Sequence, residues 1–115
     1  MHEYSIVQSL LEKVEEHAEA HGATAVSRLA VRIGELSGVE ADLLVTAFSL
    51  VRERTICAHA ELEIAAIPAR WACPRCDATV PRGAILRCPT CGDPARLASG
   101  DEIILDQIEM EVDHV

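Results

Sequence analysis

The chain has 115 residues, enough for one domain with a small outgrowth, and half of them are apolar (50%), enough for a core. A single Trp, a single Tyr and a single Phe leave that core to Leu, Ile, Val and Ala. A formal charge of −9 argues against general nucleic-acid binding, and no apolar run approaches the roughly 20 residues of a membrane span.

No basic stretch followed by an apolar one marks the start, so a cytoplasmic protein is expected. The charge is unevenly placed. Between Ala69 and Ala98, five arginines (Arg70, Arg75, Arg82, Arg87, Arg96) stand against two aspartates, a net +3. Elsewhere five basic residues stand against seventeen acidic ones, a net −12. The chain therefore divides into 69–98 and a body made of 1–68 and 99–115.

Taken in order, Ile6, Val7, Leu10, Leu11, Val14 and Ala18 recur at steps of three and four. They predict an amphipathic helix over 4–21, with Gly22 as its stop. In 26–33, Leu29, Val31 and Ile33 alternate with Arg28, Ala30 and Arg32, a half-buried strand. Ser37-Gly38-Val39-Glu40 has a capping-box pattern, and Val39, Leu43, Leu44, Ala47, Phe48 and Val51 follow at helical spacing, predicting a helix over 38–54. Residues 60–67 read as a strand with Leu62 and Ile64 on one face, closed by Pro68. Residues 102–112 read as another, with Ile104, Ile108, Met110 and Val112 on one face. Asp106 interrupts that face, which predicts a bulge or an edge position. The fold class is α+β: two helices on a three-stranded mixed sheet, with an inserted zinc-ribbon subdomain.

The insert carries Cys73-x2-Cys76, eleven residues, then Cys88-x2-Cys91. Each CxxC pair suits a tight turn whose backbone N–H groups point at the sulfurs, and two such turns present four thiolates tetrahedrally. Pro74 and Pro89 stiffen the turns, and Gly92 is expected to permit a close backbone approach. So small a segment has little core of its own, so a metal must supply its folding energy. Zinc leads, iron in a rubredoxin-like knuckle is the alternative, and four thiolates leave no open catalytic position. Two disulfides fit less well with the absence of a secretory leader. Cys57, standing apart, reads as a buried apolar residue.

The N-terminus is Met1-His2-Glu3. The Met1 amine, the His2 amide, the His2 Nδ1 and the Glu3 amide can close five-, six- and five-membered rings on one ion. Planar nitrogen donors of this kind suit Ni(II) or Cu(II). A histidine near a terminus is ordinarily without function, and on the residues alone that reading is preferred to a metal site. His17 and His21 stand i, i+4 on the first helix and could share a metal, though a solvated helix face explains them; His59 and His114 have no ligand partner near them in sequence.

MHEYSIVQSLLEKVEEHA at the start, VRIGELSGVE in the middle and the doubled CxxC together resemble the HypA/HybF family of nickel metallochaperones of [NiFe]-hydrogenase maturation. The resemblance runs over essentially the whole chain. It implies a non-enzymatic protein that binds Ni(II) as cargo and Zn(II) structurally. It further implies delivery of nickel to a hydrogenase large-subunit precursor, with a HypB-type GTPase as partner and a homodimer as a possible assembly. His2 matches the family's nickel histidine, Glu3 the acid whose backbone amide takes part, and Cys73, Cys76, Cys88 and Cys91 the zinc ligands. Glu40 stands where some members have aspartate near the nickel site; here the carboxylate is one methylene longer, and the capping pattern already explains it. The competing reading is a protein- or nucleic-acid-binding zinc ribbon with no nickel role.

Overall fold

Val7, Leu11, Val14 and Ala18 are buried along one side of the first helix, α1 (His2–Ala20), as their spacing requires. The computed structural model describes residues 2–81, 83 and 85–112. Helix α1 begins two residues earlier than the periodicity indicates. Gly22, at φ +66°, ends it.

The long strand β1 (Ala23–Gly34) buries Val26, Leu29, Val31 and Ile33. Helix α2 (Ala41–Val51) is the crossover that lets β2 (Glu61–Ile67) pair with β1 in parallel. Strand β6 (Ile103–Val112) pairs with the other edge of β1, antiparallel, giving a mixed sheet in the order β2-β1-β6. The core gathers Val7, Leu11 and Val14 of α1 with Leu29 and Val31 of β1 and Leu44, Ala47 and Phe48 of α2. The Arg28 guanidinium bonds Glu63 on β2 and reaches Gln107 (3.2 Å) and Glu109 (3.5 Å) on β6, tying the three strands by side chains.

Two expectations need correction. Helix α2 does not begin at Gly38. Gly38 has φ +79° and Glu40 is extended, so the chain turns helical only at Ala41. Glu40 is the N-cap residue but makes no side-chain cap bond, and the Ser37 hydroxyl instead accepts the N–H of Val39 at 3.3 Å. The capping box is therefore replaced by a local turn. At the other end Arg54, at φ 65°, follows the last helical turn.

On β6 the partners of Ala30 and Val31 are Gln107 and Leu105, so Asp106 is bulged out as expected. The extra residue reverses the alternation, which the sequence reading did not carry through. Ile103 and Leu105 join Ile108 and Met110 against the core, while Ile104 and Val112 are exposed.

A second sheet lies in the insert: β3 (Arg70–Ala72) between β4 (Thr79–Val80) and β5 (Arg96–Ser99), all antiparallel. The radius of gyration, 18.2 Å, exceeds the roughly 13 Å of a compact chain of this length, in keeping with two lobes. They meet at the loop after β1. The Glu35 N–H donates to the Ile67 carbonyl (2.9 Å), and the Leu36 N–H to the Gly100 carbonyl (2.6 Å). The Glu35 carboxylate accepts the Ala69 N–H at 3.0 Å. Both strands that lead into the insert are thus gripped by one short loop.

Candidate metal centres

The two CxxC turns are built alike. The Cys73 N–H donates to the Ala78 carbonyl and the Asp77 N–H to the Cys73 carbonyl, both at 2.9 Å. The Cys88 N–H donates to the Asp93 carbonyl (2.9 Å) and the Gly92 N–H to the Cys88 carbonyl (2.8 Å). In each turn the residue four after the first cysteine is left-handed: Asp77 at φ 62° and Gly92 at φ 74°. Gly92 is favoured by that dihedral, which Asp77 adopts in the other turn, and not needed for close approach, since a Cβ there would meet nothing within 4 Å.

These turns bring all four sulfurs within 4.8 Å of one another. Cys76 Sγ and Cys88 Sγ are 3.7 Å apart, which matches the edge of a tetrahedron whose corners lie about 2.3 Å from its centre, roughly 3.8 Å. Backbone N–H groups of Arg75 and Cys91 point at Cys73 Sγ and Cys88 Sγ, each at 3.4 Å. The N–H groups of Cys91 and Thr90 hold the Cys88 thiol down to about 7, whereas hydrogen bonding to Cys76 and burial push Cys91 up to about 12. The donor set therefore fits a tetrahedral thiophilic ion.

Three of the arginines counted as a basic face are used inside the insert. Arg75 pairs with Asp93 (3.0 Å), Arg96 with Asp77 (2.9 Å), and Arg87 donates to the Gly92 carbonyl (2.9 Å). They staple the knuckles. Arg82 lies outside the described residues.

At the other end of the chain, His2 opens α1 with its ring exposed. Its Nε2 lies 3.0 Å from the Gly38 carbonyl oxygen and 3.2 Å from Glu3 Oε2. Glu3 is 6% exposed, the one buried charged residue among the described residues. Met1 lies outside them. Sequence reasoning gave Glu3 a backbone role and missed its side chain. A signal was present: Glu3 stands four residues before Val7, on the stripe that continues through Leu11, Val14 and Ala18.

The remaining candidates are not assembled. The Nδ1–H of His21 donates to the His17 carbonyl at 2.8 Å, so that ring caps the helix end. His59 and Glu40 are exposed, and His114 lies outside the described residues. Cys57 is fully buried, and burial pushes its thiol up to about 11. Among the described residues, the four cysteines are the sole group of three or more candidate metal ligands.

Comparison with known proteins agrees with this arrangement. The family model for hydrogenase/urease nickel incorporation, the metallochaperone HypA, matches residues 1–110. The hydrogenase maturation factor HypA of Shewanella baltica is 40% identical over 115 residues, covering 98% of each chain. A solution structure of a HypA protein superposes with a TM-score of 0.82 at 33% identity, over 98% of both chains. That of the nickel metallochaperone HypA from Helicobacter pylori gives 0.75 at 32% identity, over 96% of this chain and 98% of the other. An N-terminal helix starting at histidine, a mixed sheet and an inserted four-cysteine ribbon are thus the features of a chain that belongs to the HypA family of nickel-incorporation metallochaperones for hydrogenase maturation, which are not enzymes.

Proposed function

We propose that this chain binds Ni(II) at its N-terminus and delivers it to a [NiFe]-hydrogenase large-subunit precursor. The donors are the His2 imidazole and the backbone nitrogens of His2 and Glu3, with the Met1 amine or a side chain from elsewhere completing the set. The observation that carries the reading is that α1 begins at His2. The first N–H groups of a helix have no acceptor within it, so a metal can take the amides of His2 and Glu3 without breaking a helical bond. The positive end of the helix dipole also favours the negative charge that a deprotonated amide acquires. His2 is exposed and can meet an incoming ion.

In the same reading Cys73, Cys76, Cys88 and Cys91 hold Zn(II). When bound, the ion links the two knuckles and leaves no open position for chemistry. Residues 1–68 and 99–115 form the nickel-binding body and 69–98 the ribbon. A HypB-type GTPase is the partner that supplies nucleotide hydrolysis, and the cytoplasm is the compartment. A nucleic-acid-reading ribbon is disfavoured, because Arg75, Arg87 and Arg96 are engaged within the ribbon. The test is elemental analysis with nickel titration of the wild type and His2→Ala. One zinc per chain in both proteins and a sharp loss of nickel in the variant are expected. Wild-type nickel affinity in His2→Ala would place the site elsewhere.

A further inference from the structure

His2 Nε2 is hydrogen-bonded to the Gly38 carbonyl oxygen, and the Glu3 carboxylate stands beside the same nitrogen at ion-pair distance. The Gly38 carbonyl oxygen lies at 3.0 Å and the Glu3 carboxylate at 3.2 Å. A neutral imidazole carries one N–H and one lone pair, and the partner of one nitrogen fixes the role of the other. With the Gly38 carbonyl accepting at Nε2 and a carboxylate beside it, the proton belongs there and the lone pair is left on Nδ1. Nδ1 is the ring nitrogen that closes a six-membered chelate with the amide of its own residue.

We propose that the Glu3 side chain, together with the Gly38 carbonyl, is a positioning device that locks His2 in the Nε2–H tautomer and so presents Nδ1 to nickel. The proposal rests on the nickel reading above and adds a role for the buried carboxylate. Glu3 then works twice: its backbone nitrogen as a donor, its side chain through the neighbouring ring. Its burial follows from this role. A carboxylate 6% exposed on an apolar helix stripe is costly unless it is hydrogen-bonded. Its position at the head of the Val7–Leu11–Val14 stripe also fixes where it points. Gly38 contributes geometry. Its φ of +79° aims the carbonyl, while a Cβ there would meet nothing within 4 Å. Groups that orient a metal-ligating histidine typically change metal affinity about 10- to 100-fold when removed.

The experiment uses the full-length protein with its native N-terminus. Long-range proton–nitrogen NMR of His2 is recorded without nickel at about pH 8, above the ordinary imidazole range. Nickel titrations are run in parallel on the wild type, Glu3→Gln, Glu3→Leu and His2→Ala. The wild type should show a protonated Nε2 and an unprotonated Nδ1. Glu3→Gln keeps an acceptor oxygen and should keep both the tautomer and nickel affinity within a few-fold. Glu3→Leu keeps the bulk in the buried site and leaves the Gly38 carbonyl as the remaining acceptor, and should raise the share of the Nδ1–H tautomer and weaken nickel about 10- to 100-fold. A wild-type His2 protonated on Nδ1 overturns the proposal without any variant, so it stays testable even if Glu3→Leu folds poorly. Unchanged tautomer and affinity in Glu3→Leu, with nickel lost in His2→Ala, overturns the positioning role alone. Nickel retained in His2→Ala overturns the underlying site.

Discussion

The Glu35 carboxylate accepts the backbone N–H of Ala69 across 34 residues of sequence, at 3.0 Å. Ala69 is the last residue before β3, and Glu35 lies in the loop that also grips Gly100, in the connection from β5 to β6. A side chain from the body thereby sets the angle at which the chain enters the ribbon.

Removing that acceptor leaves a buried residue's N–H without its partner. Glu35→Ala should cost about 1–2 kcal/mol, and Glu35→Gln, which retains an oxygen, about half as much or less. Thermal or urea unfolding of the zinc-loaded protein reads the difference. Equal stability in wild type and Glu35→Ala would show that water replaces the carboxylate at no cost.

Gly34 and Gly100 are the second element of the junction. A Cβ on Gly34 would collide with the Gly100 carbonyl, a backbone group that cannot swing aside. Gly34→Ala should destabilise the body by about 1–3 kcal/mol or force the strands apart. Circular dichroism melts check the first outcome, and amide exchange at position 34 and Leu36, whose N–H groups donate to the Glu102 and Gly100 carbonyls, the second. Gly92→Ala has room for its methyl and meets only the penalty of a left-handed φ, about 1 kcal/mol, so it should be the milder change.

Cys88 is 2% exposed, and the backbone N–H groups of Cys91 and Thr90 lower its thiol to about 7, favouring the thiolate. Cys88→Ser should release zinc and unfold the ribbon. Helices α1 and α2, which pack on a different sheet, should persist. A zinc assay and far-ultraviolet dichroism on one sample decide it. Full zinc occupancy in the variant would contradict a four-thiolate site.

Cys57 should make the body sensitive to alkali. Burial raises its thiol from an ordinary 9.0 to about 11, so the folded state favours the protonated form. That contribution is fully present below about 9 and is lost as pH rises through about 11. The wild type should lose up to about 3 kcal/mol over this window. Cys57→Ala should start less stable, by about 1 kcal/mol for the small cavity, but show a flatter alkaline limb. Parallel urea titrations across the window measure both slopes, and identical slopes would remove Cys57 from the account.

What the sequence determined by itself was whatever depends on neighbours in the chain. The stripe from Val7 to Ala18 wrote α1, the alternation at Leu29, Val31 and Ile33 wrote β1, and paired CxxC spacing wrote the knuckles, because helical period, strand period and turn geometry are local. The bulge at Asp106 was legible for the same reason. Its consequence was not, because which face Ile103 and Ile104 take depends on register against β1. The start of α2 also escaped the pattern. Gly38 and Glu40 take conformations that a capping-box motif does not impose, and Gly38 presents its carbonyl to His2. Only the tertiary structure could bring Glu35 to Ala69, Gly34 to Gly100 and His2 to Gly38. Each pair sets a backbone group of one segment against a distant segment, and backbone groups are the same at every position, so the residue type on that side does not announce the contact.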